Sequence, residues 1–546
     1  MSSNRSERSR FRRGGRRTAL VALLAGVTAV AGSYATAGFT PAFVVAPVEA
    51  FLTRTVPDAV LRFAVTTLGT FAGIDHFGQL LNLALAVGLA TATLSAVSFA
   101  ALVAARRFGG RSASARLASV GLVGAATWAT TALLTGRPTL SLGAGLGGAA
   151  VVAVAELAAA TGGSAAGADS TAADRRRLLG GVATTFGVGV VGYLLGSSSD
   201  SADTAASVRT DSAPADAEAV ESGSSAERTA AAEASEEPSV VDRYLAEAER
   251  RSLNVAGLEG LVSTDFYQVD ISNVDPNLRA DQWSLSVTGS VERPLSYTYD
   301  ELTAMGTEHR FVTLRCVSDP VDGKLMDTDL WTGVPISRIL EEVNPQGSHV
   351  MLRAADGYFE EFPVEALTEG FLAYGKGGGP LPRGHGHPVR ALIPGHWGEI
   401  NVKWVTEMEI LDGPEKGFWE RRGWHGTGPV NTVAKLSASE RLDGRRRVGG
   451  HAYAGTRGIE RVEVSVDGGE TWADATLSDR LPAGTDESGE AAEDAWRQWA
   501  YTYDDPGREH TVVVRATDGT GAVQPREEEG PYPSGATGWA SKTFPK

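Results

Sequence analysis

The chain has 546 residues, a formal net charge of −16, 42% apolar residues and one cysteine. That length exceeds a single ordinary domain. A lone cysteine, Cys316, excludes intrachain disulfides, CxxC zinc sites and protein-held iron–sulfur clusters. The charge divides unevenly: residues 1–196 hold 17 Arg, no Lys and 7 acids, a balance of +10, while residues 197–546 hold 33 basic and 59 acidic residues, a balance of −26. So acidic a second half is not built to bind nucleic acid.

Five apolar runs approach or exceed the roughly 20 residues needed to cross a bilayer. They are Thr18–Phe39, Phe77–Ala105, Leu117–Gly136, Pro138–Ala168 (interrupted by Glu156) and Leu178–Ser199. All are rich in Ala, Gly, Val and Leu, and small residues permit close helix packing. Buried helices of a large soluble protein are the bland alternative. Phe63–Ile74 is too short to span and reads as an interfacial helix. Arg5 to Arg17, Arg106–Arg116 and Arg175–Arg177 alternate with Arg-poor loops. With five spans, the positive-inside rule puts the N-terminus inside and everything after residue 199 outside. Asp174-Arg175-Arg176-Arg177-Leu178-Leu179 resembles a twin-arginine export signal; a plain positive-inside cluster explains it equally well. His76 is the one histidine of this half, so two axial haem ligands are not available in it and the region reads as an anchor.

Residues 197–240 hold 10 acids, 2 Arg and no aromatics, a composition that cannot bury a core. A disordered acidic linker is expected over 200–243 and a globular α+β domain over 244–428. There Trp283–Gly289 alternates as a strand, Ser337–Val343 and Pro363–Leu367 suggest short helices, and Val389–Pro394 and Val402–Leu411 suggest buried strands. From 429 to 546, His451–Ala454, Ile459–Val466, Trp472–Leu477, Arg497–Tyr503 and His510–Ala516 repeat with period two between turns such as Asp467-Gly468-Gly469. Regular short strands of this kind predict an immunoglobulin-like β-sandwich, with Ala483–Asp494 as an acidic loop insertion.

Two places carry chemistry. Arg310-Phe-Val-Thr-Leu-Arg-Cys316-Val-Ser-Asp ends an apolar strand at the only thiol. An inert buried cysteine, a hydrolase nucleophile awaiting a histidine, and a soft thiolate ligand to a metal otherwise held by a cofactor are all open from position alone. Further on, Arg383-Gly-His385-Gly-His387-Pro-Val-Arg390 leads into Pro394-Gly-His396-Trp-Gly-Glu-Ile-Asn401-Val402-Lys403-Trp404. Glycine N–H groups with Arg390, Lys403 and His385 suit a phosphate. A zinc site of His385, His387 and His396 has the residue types but not a standard spacing, and a solvated basic loop is the bland reading.

These blocks, in this order, resemble the sulfite oxidase family of molybdopterin-dependent oxidoreductases over about 280 residues, in its membrane-anchored prokaryotic form. Asp265-Phe266-Tyr267-Gln268 before the Trp283 strand is similar to the family's opening cofactor loop. Thr313-Leu-Arg-Cys316-Val-Ser resembles the block whose cysteine ligates molybdenum, and Trp331-Thr-Gly-Val-Pro335 the turn after it. Asp356-Gly-Tyr resembles a further cofactor loop. His385-Gly-x-Pro-Val-Arg390 and Asn401-Val402-Lys403-Trp404 resemble the blocks that hold the pterin and its phosphate. Arg457 to Trp472 resembles the dimerisation domain. The resemblance implies a molybdenum–molybdopterin cofactor with Cys316 as metal ligand, and Asp265, Phe266, Tyr267, Asp356, His385, Arg390, Asn401, Val402 and Lys403 around the pterin. It further implies a homodimer, an external electron-transfer partner and two-electron oxygen-atom transfer. Val-Ser-Asp-Pro follows Cys316 where sulfite oxidases proper place arginines, and Trp424 stands for a tyrosine near the metal. Substrate therefore stays open between a small oxyanion such as sulfite and an S-oxide or N-oxide, with Arg421 and Arg422 as candidates to steer an anion. A non-enzymatic anchored binding protein is the alternative of another class.

Overall fold

The computed structural model describes residues 3–57, 60, 63, 77–109, 112–161, 238–483 and 491–546. They form two compact units, Met1–Asp211 with Asp270–Asn277, and Ser212–Val269 with Leu278–Lys546.

In the first unit five helices are described: α1 (Ser3–Ala37), α2 (Val45–Thr55), α3 (Phe77–Gly109), α4 (Ala113–Thr135) and α5 (Leu142–Thr161). Among the described residues, four stretches are long and apolar enough to cross a membrane: Gly15–Ala37, Gly78–Arg107, Ala113–Thr135 and Leu142–Ala160. They coincide with the first four expected runs. The fifth, Leu178–Ser199, lies outside the described residues, as do the arginine cluster at 175–177, His76 and nearly all of Phe63–Ile74. Glycines let α1 and α5 touch backbone to backbone. A methyl group on Gly32 would overlap the Gly143 carbonyl, and one on Gly147 the Thr28 carbonyl. α4 starts where the Ser112 hydroxyl accepts from the Ala115 N–H and stops at Gly136, whose φ of 67° favours glycine. Leu117, Leu133 and Leu146 are 74, 86 and 71% exposed, an apolar exterior that suits lipid and not water. Glu156, which interrupts the fourth run, lies 4.0 Å from Arg116.

The helix α2 was not expected; it is short and carries charges at both Glu49 and Arg54. It receives Asp270–Asn277, the eight-residue excursion of the later chain. Glu49 is fully buried, and its Oε1 accepts from both the backbone N–H (2.8 Å) and the side-chain amide of Asn273. Asn273 Nδ2 also donates to the Gln79 carbonyl (3.2 Å), and Gln79 Nε2 returns a bond to the Asp270 carbonyl (2.8 Å).

The second unit opens with α6 (Val240–Arg251), four residues before the expected start of the globular region. A reciprocal cap explains it: the Ser239 hydroxyl accepts from the Asp242 N–H while the Asp242 carboxylate accepts from the Ser239 N–H. Residues 200–237 of the expected linker lie outside the described residues. One five-stranded sheet runs in the order Leu295–Thr298, Ser284–Gly289, Val405–Leu411, His349–Ala354, Phe359–Pro363, with the second and third strands parallel. Helix α8 (Ile336–Val343; α7 is Tyr299–Ala304) packs Ile336, Ile339 and Val343 into the same core as Leu285, Val287, Leu352 and Met408. A second sheet pairs Glu308–Arg315 with Met326–Pro335, then Phe371–Lys376, flanked by Gly379–Pro380 and Arg390–Leu392. Met326–Pro335 is buried at nine of ten positions, the mark of a central strand covered on both faces.

Beyond residue 429 there are two further sheets. Arg445–Tyr453 pairs with Val433–Ala434, Ala438–Leu442 and Arg497–Asp504, and Thr476–Leu477 pairs with the last of these. Ile459–Ser465 lies between Ala473–Asp474 and His510–Asp518, which pairs with Ala540–Phe544. The expected acidic loop is in part a buried turn: residues 484–490 lie outside the described residues, but Asp494 is 8% exposed. Its Oδ1 accepts from the Gly395 N–H (2.8 Å) and stands 2.7 Å from the Tyr453 hydroxyl. Burial raises its pKa to about 7. An acid whose pKa rises on folding favours the native state while protonated, and that contribution is lost as pH climbs from the unfolded value near 4 toward 7. Asp494→Asn is therefore expected to flatten the fall of Tm between pH 5 and pH 8. Thermal scans at four pH values read it, since about 1 kcal/mol moves Tm by about 2–4 °C at this size. An unchanged slope would remove Asp494 from the account.

A candidate molybdenum cofactor site

Strand Glu308–Arg315 begins with three polar, part-buried residues and buries its last five positions, which delivers Cys316 to the start of a tight loop. The loop is closed by the Cys316 N–H donating to the Leu325 carbonyl and the Asp319 N–H donating to the Cys316 carbonyl, both 3.0 Å. The half-buried thiol has the Ser318 hydroxyl 3.1 Å away. Burial pushes the thiol up to about 11; Ser318 opposes this, while the Asp319 and Glu399 carboxylates add to it. A hydrolase nucleophile needs the reverse, a pKa lowered by a base or cation. A buried thiol that keeps its proton suits a bound soft cation that takes the proton's place. Gly398 leaves the space open: a methyl group there would meet the Tyr267 hydroxyl at 3.0 Å and Cys316 Cα at 3.5 Å.

A second group of residues converges nearby. Phe266 stacks on Tyr267 with ring centroids 5.5 Å apart, and meets Trp331 and His385 edge-on at 5.4 and 5.6 Å. The Tyr267 N–H donates to Asp327 (2.7 Å), whose carboxyl burial raises to about 6. Burial, Cys316 and two aspartates hold the Tyr267 phenol well above its ordinary value. His385 is driven down to about 3, first by burial and then by Arg390, Lys376 and Lys403, so it stays neutral among three cations. Arg390 donates to the His385 carbonyl (3.2 Å) and the Asn401 carbonyl (3.0 Å), and lies over the Trp331 ring at 5.2 Å. Lys403 donates to the Gly384 carbonyl (2.9 Å). Gly386, at φ 113°, passes so close to Arg390 and Lys403 that a methyl group would crowd both at 3.0–3.1 Å. Three cations, a neutral imidazole and a glycine-lined turn form a donor set for a phosphate. The molybdenum–pterin group fits these residues: a soft thiolate at one end, aromatic rings between, cations at the other.

The expected residues thus sort by place. Phe266, Tyr267, His385, Arg390 and Lys403 share this region. Asn401 and Val402 support it from within. Asn401 Oδ1 accepts from the Ile393 N–H (2.6 Å), its Nδ2 donates to the Trp397 carbonyl (2.9 Å), and Val402 is buried in the core. Asp356 caps its own turn through the Tyr358 N–H (2.8 Å), and that turn reaches the Trp404 carbonyl from Ala355. Asp265 is exposed at the edge. Arg421 and Arg422 lie over the rings of Phe359 (4.5 Å) and Phe418 (3.7 Å), and Trp424 is buried between Trp419 and Tyr532. Among the described residues no group of three or more His, Cys, Asp or Glu could hold a metal ion, which removes the His385–His387–His396 zinc reading.

Several functional neighbours escaped sequence reading. Lys376 precedes three glycines and looks like a turn lysine; it ion-pairs with Asp329 and lies over Phe266 at 5.1 Å. Glu399 sits in the Asn401 block as an unremarked acid. Yet its two oxygens are buried beside those of Glu420. Burial and Glu420 raise both Glu399 and Glu360 well above the ordinary carboxyl range.

Residues 272–419 match the oxidoreductase molybdopterin binding domain, and residues 429–530 match the Mo-co oxidoreductase dimerisation domain. The chain is 27% identical over 303 residues to mitochondrial sulfite oxidase of Rattus norvegicus, covering 46% of this chain and 54% of that protein. It is 28% identical over 168 residues to the uncharacterized oxidoreductase YuiH of Bacillus subtilis (strain 168), covering 30% and 83%. The sulfane dehydrogenase SoxCD from Paracoccus pantotrophus aligns over 56% of this chain and 87% of its own, with a TM-score of 0.41 and 21% identity. The chain spans about half the length of the mitochondrial sulfite oxidase it matches.

Proposed function

Residues 272–530 of this chain belong to the sulfite oxidase family of molybdopterin oxidoreductases, and on that premise we propose a membrane-anchored enzyme of two-electron oxygen-atom transfer at molybdenum. The observation that carries the reading is the pairing of a buried thiol, Cys316, with the Lys376–Arg390–Lys403 cations around a neutral His385. The bound cofactor supplies oxygen-atom transfer coupled to two-electron redox chemistry. The chain does the rest. Cys316 gives up its proton and supplies a thiolate. Arg390, Lys403 and Lys376 neutralise the phosphate, and His385 adds a neutral hydrogen-bonding edge. Phe266, Tyr267 and Trp331 wall the pterin from water, with Asp265 and Asp356 at its margins. Electrons pass to an external partner. The two C-terminal sheets are read as an immunoglobulin-like sandwich that mediates a homodimer.

We read five spans, with Leu178–Ser199 as the fifth, and on that count the catalytic half lies on the extracytoplasmic side, opposite the arginine-rich N-terminus.

Reduction of an S-oxide or N-oxide is the second reading. It is favoured by Arg421 and Arg422 being laid on the rings of Phe359 and Phe418 and not presented to an anion such as sulfite. A steering role for that arginine pair belongs to the sulfite reading. Metal analysis of the full chain purified from membranes is the test, followed by the Mo(V) signal under sulfite, sulfoxides and N-oxides. About one molybdenum per chain and a substrate-dependent signal are expected. A protein without molybdenum, from cells that load other molybdoenzymes, would overturn the proposal.

A further inference from the structure

Five side chains or backbone groups from beyond residue 429 grip the strand and loop that carry Cys316. Asp319, fully buried, receives Arg315 Nε (3.1 Å) and Lys435 Nζ (2.6 Å) on the same oxygen. Lys435 also donates to the Gly323 carbonyl (2.8 Å), so one ammonium spans both ends of the loop after Cys316. Arg315 Nη1 donates to the Asn431 carbonyl (3.1 Å), and its guanidinium lies over Trp397 at 4.9 Å. Two residues before Arg315, Thr313 is held on every polar atom. Its N–H donates to the Asp494 carbonyl (2.9 Å), its carbonyl lies 3.0 Å from the Tyr453 hydroxyl, and its Oγ1 accepts from the Trp496 N–H (2.8 Å).

We infer that the C-terminal domain is a working part of the metal centre, and that Lys435 is a positioning residue for Cys316, acting through Asp319 and Gly323. This rests on the proposed ligation of molybdenum by Cys316. The buried group Arg315–Asp319–Lys435 holds two cations and one anion, a net positive charge directly behind the ligand, in surroundings too dry to screen it. Its second task follows: Lys435 leaves this group with one net positive charge behind Cys316 and so stabilises the more negative, reduced state of the centre.

Lys435→Met removes the positive charge and the clamp but leaves the Arg315–Asp319 pair neutral, so no buried charge is stranded. In the purified full-length holoenzyme three changes are expected of it. The Mo(V) g-values shift, the molybdenum potential moves to a more negative value, and kcat drops about tenfold with KM within about twofold. Lys435→Arg keeps the charge and is expected to hold the wild-type potential even where kcat falls. Tyr453→Phe, which leaves the charges alone, serves if Lys435→Met does not fold: its g-values should shift while its potential stays. A Lys435→Met holoenzyme with wild-type g-values, potential and kcat overturns the inference. So does a Tyr453→Phe enzyme with wild-type g-values where Lys435→Met cannot be made. Wild-type protein that binds no molybdenum at all is a different outcome and would sink the ligation proposal instead.

Discussion

Cys316→Ser is expected to abolish turnover, a loss well beyond the ~10–100-fold that follows removal of an outer-shell partner of a metal ligand. A serine hydroxyl is a hard, weakly acidic donor, and in a pocket that already pushes a thiol up to about 11 it stays protonated and leaves the metal without its protein ligand. The cofactor should nonetheless remain, because the proposed reading gives its other end to Arg390, Lys403 and Lys376. The diagnostic result is thus a loaded but inactive protein, with molybdenum within about twofold of wild type and the protein-derived sulfur–metal scattering lost. Full activity in Cys316→Ser would return the residue to an inert buried cysteine.

Arg390→Met should fail in the opposite sense, as an empty protein. Arg390 is 4% exposed, and removal of its guanidinium leaves the His385 and Asn401 carbonyls short of a donor, at about 1–3 kcal/mol for each buried group. It also takes away the second-largest influence on His385, whose pKa should move back up toward the ordinary range. Molybdenum content is expected to fall about tenfold or more, with Tm lowered by several degrees. A variant that folds and keeps its full complement of metal would show that the Arg383–Lys403 region is only structural.

Much of this was legible because it is written locally. Apolar runs announce spans whatever their partners, and period-two alternation announces strands such as Ile459–Ser465. The cation-bearing loop around His385 could be read because Gly386, His385 and Arg390 lie within six residues. Pairings across long separations were not legible. Lys435 meets Asp319 across 116 residues, and Glu399 meets Glu420 only because two loops fold together. Asp494 sits in a run of acids that reads as solvated surface, yet Tyr453 and Gly395 bury it. Helix α2 lacked a signal for a different reason: eleven residues of mixed polarity carry too little periodicity to stand out beside apolar runs of twenty or more.

The excursion Asp270–Asn277 decides how the protein can be taken apart. Its eight residues interrupt the β-rich unit three positions after Tyr267 and belong structurally with α2 and Gln79. Cutting the chain at the acidic stretch near residue 240 would yield a soluble half that still carries this strip, now with Asn273 and its neighbours facing water in place of Glu49. A clean release of the β-rich unit from the apolar helices therefore asks for two edits: a new start before Ser239, and a short polar loop replacing 270–277.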